Sequence, residues 1–287
     1  MSRSGIERLI RKSDKAVLMH DGVERRYFTY APKDLGNSAP AVFILHGGNA
    51  NGENAMRMAN METLADREGF LLVYPDGAGP ETDHVFTWNS GHCCGYAMQT
   101  ESDDSGFLAA LIDYCIEEYG CDAKRMYMAG LSNGAMMTHR FACEHSSKIA
   151  AIAAISGAKN FDECMPTDSV SVISFHGTDD KHAPFEGGEG ADTIYKRCDA
   201  PVQKGIEFWL NANGCDKVLN KEEFDDYTHE NYTQAKGDIS VEHYIIKGQG
   251  HAWPGGKDGI RYGNVDTPNS SVHASALIWD FFKKHKK

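Results

Sequence analysis

Short apolar runs alternate along this chain with stretches whose apolar positions recur at helical spacing. Val23 to Tyr30 alternates polar and apolar residues as a half-buried strand does, whereas Ala41 to Leu45 is continuously apolar, the mark of a strand covered on both faces. Glu53 to Glu68 then carries helix formers with apolar spacing near 3.6, and Phe70 to Tyr74 forms another apolar run that stops at Pro75-Asp76-Gly77. The same pattern predicts helices at Asp104 to Tyr119, Gly134 to Glu144, Lys204 to Ala212 and Val272 to Phe282. It predicts strands at Met126 to Ala129, Ile149 to Ile155, Val170 to Phe175 and Ser240 to Ile246. Strand and helix in alternation predict an α/β fold with one mostly parallel central sheet and helices on both faces.

No long repeat, low-complexity linker or break in composition divides the chain, so residues 1–287 read as a single domain, with residues 1–20 as an N-terminal extension. The irregular stretches Thr82 to Thr100, Asn160 to Ser169 and Thr178 to Val202 adjoin strands or helices. In an open α/β sheet, ligands sit beyond the carboxyl ends of the strands, so these loops should build a pocket rim.

Within that frame one segment stands out. The strand Met126 to Ala129 runs into Gly130-Leu131-Ser132-Asn133-Gly134 and on into a helix, the strand–turn–helix setting of a nucleophile elbow. A serine hydroxyl is a weak nucleophile at neutral pH; it needs a histidine to take its proton and a carboxylate to orient that histidine. Both follow in the order serine, acid, histidine. The strand Val170 to Phe175 ends in His176-Gly177-Thr178-Asp179-Asp180, and the strand ending at Ile246 leads to His251 in a Gly/Pro loop. Asp179 and Asp180 are adjacent, so their side chains diverge and one of them meets His251, while the other is free to cap a turn. For the oxyanion of acyl transfer, two backbone amides are available, those of Asn133 after the nucleophile and of Gly48 behind His46-Gly47. Gly47-Gly48 is not a phosphate cradle, because neither Gly-Lys-Ser/Thr nor Gly-x-Gly-x-x-Gly occurs.

Composition narrows the partners. Hydrophobic residues make up 41% and charged residues 24%, and no apolar run approaches the roughly 20 residues that span a bilayer, so a membrane-embedded role is not expected. The formal charge of -12 repels phosphate backbones and anionic lipid, which argues against nucleic acid or a membrane surface as partner. The basic end Lys283 to Lys287 reads as a solvated helix terminus. Eight cysteines, an even number, suit an oxidising compartment and suggest a secreted or periplasmic protein. Against this, the N-terminal residues lack the apolar run of a signal peptide, which keeps the cytoplasm open. His92-Cys93-Cys94 contains zinc-binding residue types, but adjacent thiolates hold one ion poorly and no Cys-x-x-Cys is present. No metal and no cofactor are expected; these cysteines read as disulfides or buried thiols, and a bridge would tie the Trp88 loop to the body.

Together these residues resemble the polyhydroxybutyrate depolymerase-like esterases and feruloyl esterases of the α/β-hydrolase superfamily. The resemblance is carried by His46-Gly47-Gly48, Trp88-Asn89-Ser90-Gly91-His92-Cys93-Cys94-Gly95, Gly130 to Gly134, His176 to Asp180, Asn213-Gly214-Cys215 and Gly250 to Gly255. It implies an α/β-hydrolase fold and a serine esterase with Ser132 as nucleophile, His251 as base and the Gly48 and Asn133 amides as oxyanion hole. The family pattern His-Gly-Thr-x-Asp-x-x-x-Pro places the acid at Asp180, with Pro184 closing the motif. Depolymerases of solid polymer add a separate substrate-binding domain, for which this chain has no room. Short polyester (hydroxyalkanoate) oligomers or feruloyl and aryl esters are therefore the expected substrates, with acetyl xylan as the alternative. Trp88 and Trp253 are candidates to cover the substrate, whereas Trp209 and Trp279 belong to the core. An acyltransferase would use the same acyl-enzyme; a non-catalytic binding protein would have lost a triad member. Oligomeric state is not encoded in any of these features.

Overall fold

The computed structural model describes residues 14–80, 85–215, 217–234, 238–258 and 265–287. Ten strands form one sheet: β1 (Asp14–His20), β2 (Val23–Tyr30), β3 (Ala41–Leu45), β4 (Leu71–Pro75), β5 (Met126–Leu131), β6 (Ala151–Ile155), β7 (Ser171–Gly177), β8 (Lys217–Glu223), β9 (Tyr227–Thr233) and β10 (Ser240–Ile246). Their spatial order is β1-β2-β4-β3-β5-β6-β7-β10-β9-β8. From β4 to β10 every neighbour runs parallel, and an antiparallel pair closes each flank. The sequence expectation of a mostly parallel sheet holds for this central part, where strands buried on both faces need no polar side.

The continuous apolar runs follow from that double burial. On β3, Val42 and Ile44 join the cluster on one face while Ala41, Phe43 and Leu45 join the other. The first face is covered by α1 (Gly52–Ala59), α2 (Glu62–Glu68) and α7 (Ala274–Phe282), through residues such as Met56, Ala65 and Trp279. The second is covered by α4 (Asp104–Tyr119), α5 (Asn133–Glu144) and α6 (Val202–Asn213), through Phe107, Phe141 and Trp209. Each large side chain fully withdrawn from water in this way contributes about 1.5–3 kcal/mol. A short α3 (Gly95–Gln99) lies inside the stretch expected to be irregular, whose residues 82–84 fall outside the described ones.

Four departures from expectation have local causes. The single helix expected from Glu53 to Glu68 is two, because Asn60 takes a left-handed conformation (φ 48°) and caps α1 with its N–H on the Met56 carbonyl. Asp14–His20, placed in an N-terminal extension, is instead strand β1, with Ala16 and Leu18 packed on the core while Val17 and Met19 face out. Residues 1–13 of that extension lie outside the described residues. The hairpin β8–β9 carries Lys217-Val-Leu-Asn-Lys-Glu-Glu and Tyr227-Thr-His-Glu-Asn-Tyr-Thr, and its polar composition reflects a position at the sheet's edge. The basic C-terminus is not wholly solvated: the Tyr127 hydroxyl donates to the His285 carbonyl at 2.7 Å, and His285 is buried.

A disulfide joins Cys143, at the end of α5, to Cys164 in the loop after β6, with Cα atoms 6.2 Å apart. Cys93 and its neighbour Cys94 turn their sulfurs towards each other. The bridge to the body therefore starts from α5 and not, as expected, from the Trp88 loop. Closing a loop of this length stabilises by about 3 kcal/mol. Replacing Cys143 and Cys164 by Ser should lower the Tm by roughly 6 °C, and dithiothreitol should then have little further effect; equal melting of variant and parent in calorimetry would refute a stabilising role.

Candidate active site

Ser132 joins β5 to α5 at φ 57° and ψ -122°, a conformation that non-glycine residues rarely adopt. The two flanking glycines are required by close approach: a side chain on Gly130 would overlap the backbone of Gly134, and one on Gly134 would overlap the carbonyls of Leu45 and His46. The turn is held by the Ser132 N–H on the Ile155 carbonyl (2.9 Å) and by the Ser132 carbonyl, which accepts from Met136 N–H (2.9 Å). Ser132 remains half-buried at the cleft while the rest of the first turn of α5 is buried.

Asp180 and His251 come from loops after β7 and β10, which are neighbours in the sheet. His251 Nδ1 donates to Asp180 Oδ2 at 2.8 Å, and both residues are buried. The other oxygen, Oδ1, accepts from the backbone N–H groups of His182 and Ala183, each at 2.9 Å. His176 lies beneath, its Nε2 donating to the Ala183 carbonyl (2.7 Å) and standing 3.5 Å from Asp180 Oδ2. Burial alone would raise the Asp180 carboxyl, but the charge and hydrogen bond of His251, the neighbouring His176 and the backbone donors outweigh it and bring the pKa down to about 2. Asp179 is exposed and accepts from the Thr178 hydroxyl (3.0 Å), so the structure places Asp180 and not Asp179 against His251.

Ser132 and His251 line one cleft with Gly48 and Asn133. Asn133 opens α5, so its N–H is one of those a helix leaves without an intrahelical partner. Its side chain is committed elsewhere, accepting from Trp88 N–H (2.7 Å) and donating to the Trp88 carbonyl (2.9 Å), which ties the Trp88 loop to the elbow. Gly48 faces it: a Cβ there would sit 3.6 Å from Asn133 Cβ.

Trp88 and Trp253 do not reach the cleft. Trp88 is fully buried, with its indole N–H on the His46 carbonyl (3.0 Å), and Trp253 is buried with its indole N–H on Ser275 Oγ (3.0 Å). Both pack loops, so their assignment as substrate-binding residues is corrected. The cleft wall opposite Ser132 comes instead from His182, Thr193, Ile194, Tyr195 and Arg197, together with Asn49. Nothing in their spacing marks them in the sequence; only the expectation that residues 178–202 rim the pocket points to them.

This geometry is that of the α/β-hydrolase fold with a sharp strand–turn–helix at Ser132, and an acetyl xylan esterase from Aspergillus awamori shares the fold: TM-score 0.64, 16% identity, 95% of this chain and 99% of that one. The model of the family described as "Esterase PHB depolymerase" matches residues 26–182, and the chain belongs to that family. Among relatives, the bifunctional acetylxylan esterase/xylanase XynS20E of Neocallimastix patriciarum is 31% identical over 169 residues, 59% of this chain and 23% of that protein. Feruloyl esterase B of Piromyces equi is 30% identical over 203 residues, 67% of this chain and 35% of that protein. The putative esterase NocK of Nocardia uniformis subsp. tsuyamanensis is 26% identical over 263 residues, covering 86% and 75%. The chain thus spans about a quarter to a third of the length of the two relatives with a named substrate.

Behind the loop that carries Gly48, His46 donates from Nδ1 to the Gly47 carbonyl (2.7 Å) and accepts at Nε2 from Gly77 N–H (2.9 Å), so it must be neutral. Burial lowers its pKa to about 4, and the same holds for His139 on α5 and His243 on β10. An unfolded histidine binds its proton near pH 6.5, so these three sites stabilise the fold fully above that value. The stability is lost as the pH falls towards 4, on the order of 3 kcal/mol per site. Urea unfolding at pH 7 and pH 4.5 should show this decline, and an unchanged midpoint would contradict it.

Proposed function

We propose that the protein is a serine carboxylic-ester hydrolase working through an acyl-enzyme, with residues 1–287 acting as one catalytic domain. The observation that carries this reading is the 2.8 Å contact between His251 Nδ1 and Asp180 Oδ2 beside a cleft that Ser132 also lines. With Nδ1–H held by Asp180, the lone pair of His251 is on Nε2, where it can take the Ser132 proton. Ser132 Oγ attacks the ester carbonyl, and the amides of Gly48 and Asn133 hold the oxyanion. Collapse expels the alcohol, which takes its proton from His251. Water, activated by the same imidazole, then releases the acid and restores Ser132. Every proton passes through His251, so the cycle needs no metal or cofactor.

For the substrate, the lining weighs towards an ester of a hydroxyl-rich alcohol. Asn49, Thr193, Tyr195 and Arg197 give the cleft a polar lining, and two relatives bear the names acetylxylan esterase/xylanase and feruloyl esterase B. An acetyl or feruloyl ester of a soluble carbohydrate fits such a wall better than a hydroxyalkanoate oligomer does. No helix among the described residues is long and apolar enough to cross a membrane, and the Cys143–Cys164 bridge supports an oxidising, extracytoplasmic setting.

Ser132→Ala should lower p-nitrophenyl acetate turnover by about 10⁴ to 10⁶ with an unchanged Tm, and should abolish labelling by a fluorophosphonate probe; near-normal turnover would sink the assignment. Assayed side by side, acetylated xylo-oligosaccharide or methyl ferulate should be turned over faster than hydroxybutyrate oligomers. The opposite ranking would move the substrate to the polyester side while leaving the chemistry in place.

A further inference from the structure

The loop that carries Gly48 is anchored at both ends but has one side chain in between. At its start, His46 is fixed by Gly47 and Gly77; at its end, Ala50 exchanges both backbone hydrogen bonds with Phe86. Gly47 and Gly48 have no side chain, so Asn49 is the one position where the intervening turn can be gripped. Asn49 sits at φ 56°, in the left-handed region, and its Oδ1 accepts from the Tyr195 hydroxyl at 2.6 Å.

Tyr195 is itself held firmly. Its ring packs on Cys93, Cys94 and Met136 and fills the space left by the missing side chain of Gly95, where a Cβ would lie 2.6 Å from the hydroxyl. Its carbonyl accepts from the Thr193 hydroxyl (3.0 Å), which accepts in turn from Arg197 Nη1 (2.7 Å). The Arg197 Nε is bound by both oxygens of the buried Asp199, at 2.8 and 3.0 Å. A braced segment of the 178–201 loop thus crosses the cleft and ends in one hydrogen bond to the loop opposite.

We infer that Tyr195 is a positioning residue, whose hydroxyl, through Asn49, holds the Gly48 N–H at the spacing from Asn133 N–H that an oxyanion requires. This rests on the esterase reading above. An oxyanion donor acts only where charge develops, so loosening it slows turnover and leaves ground-state binding nearly untouched.

Tyr195→Phe keeps the ring packing and removes the hydroxyl. It should reduce kcat for p-nitrophenyl acetate about tenfold with KM within about twofold and Tm unchanged. Asn49→Ala should show a similar loss, and the double variant should be no worse than the poorer single one, because both remove one contact. Hydrogen–deuterium exchange over residues 46–52 should quicken in Tyr195→Phe, a readout independent of turnover. A kcat within twofold of the parent, losses that multiply, or a KM rise that accounts for the whole effect would each overturn the inference. If the parent hydrolyses no ester, the esterase reading fails by itself, and exchange over residues 46–52 alone decides whether the tether exists.

Discussion

The reversal of the chain at Ser132 is the constraint on which the rest of the site depends. A strand can be turned into a helix within one residue only if the helix comes against the strands, and here α5 lies so close that Gly130 and Gly134 leave no volume for a methyl group. The left-handed serine between them costs on the order of 1–3 kcal/mol. Burial of Met137 and Phe141 along α5 offsets this, as does the anchoring of Ser132 to the end of β6. The return is directional: α5 begins at the cleft, so the N–H of Asn133, which has no intrahelical partner, lies next to the hydroxyl of Ser132.

The polar apparatus around that turn is organised by burial. His46 and His139 are deprived of water and kept neutral, so each can accept from a neighbour, Gly77 N–H in one case and the Trp209 indole N–H in the other (2.9 Å). Asp180 is equally buried but is surrounded by donors, and the balance runs the other way, towards a permanently ionised carboxylate. Acid and imidazole are thus placed by the same dehydration with opposite outcomes, set by whether the partners donate or accept. The Trp88 loop belongs to this scheme: Asn133 grips its backbone, and the carboxylate of Asp104, which also receives Arg25 at 2.6 Å, accepts from Asn89 N–H at 2.7 Å.

What could be read in the sequence was what periodicity and glycine spacing encode. The runs Ala41–Leu45 and Ser240–Ile246 and the helix Asp104–Tyr119 appear at the residues expected, because strands buried on both faces and capped helices leave unambiguous patterns. The elbow was legible from its glycine spacing, whereas the choice of Asp180 over Asp179 came only from the resemblance of His176 to Pro184 to the family pattern. The β8–β9 hairpin was not, since an edge strand in water keeps no apolar alternation, and β1 shows only a faint one in Ala16 and Leu18. Trp88 and Trp253 misled because a tryptophan near a site is equally useful as packing, and sequence does not say which way an indole points. Tyr195 and Arg197 had no signature at all: their roles arise from a loop folding across space, which no local spacing records.

The position of β10 in the sheet has a consequence for how the molecule comes into being. Ser132 and Asp180 both precede the β8–β9 hairpin in the chain, whereas His251 follows the strand that must slot between β7 and that hairpin. During synthesis the serine and the aspartate emerge well ahead of the imidazole, and the imidazole is aligned only when this late strand inserts beside β7. Until then the nascent polypeptide holds Ser132 and Asp180 without His251 beside them, so the candidate site and the central sheet are completed in the same step.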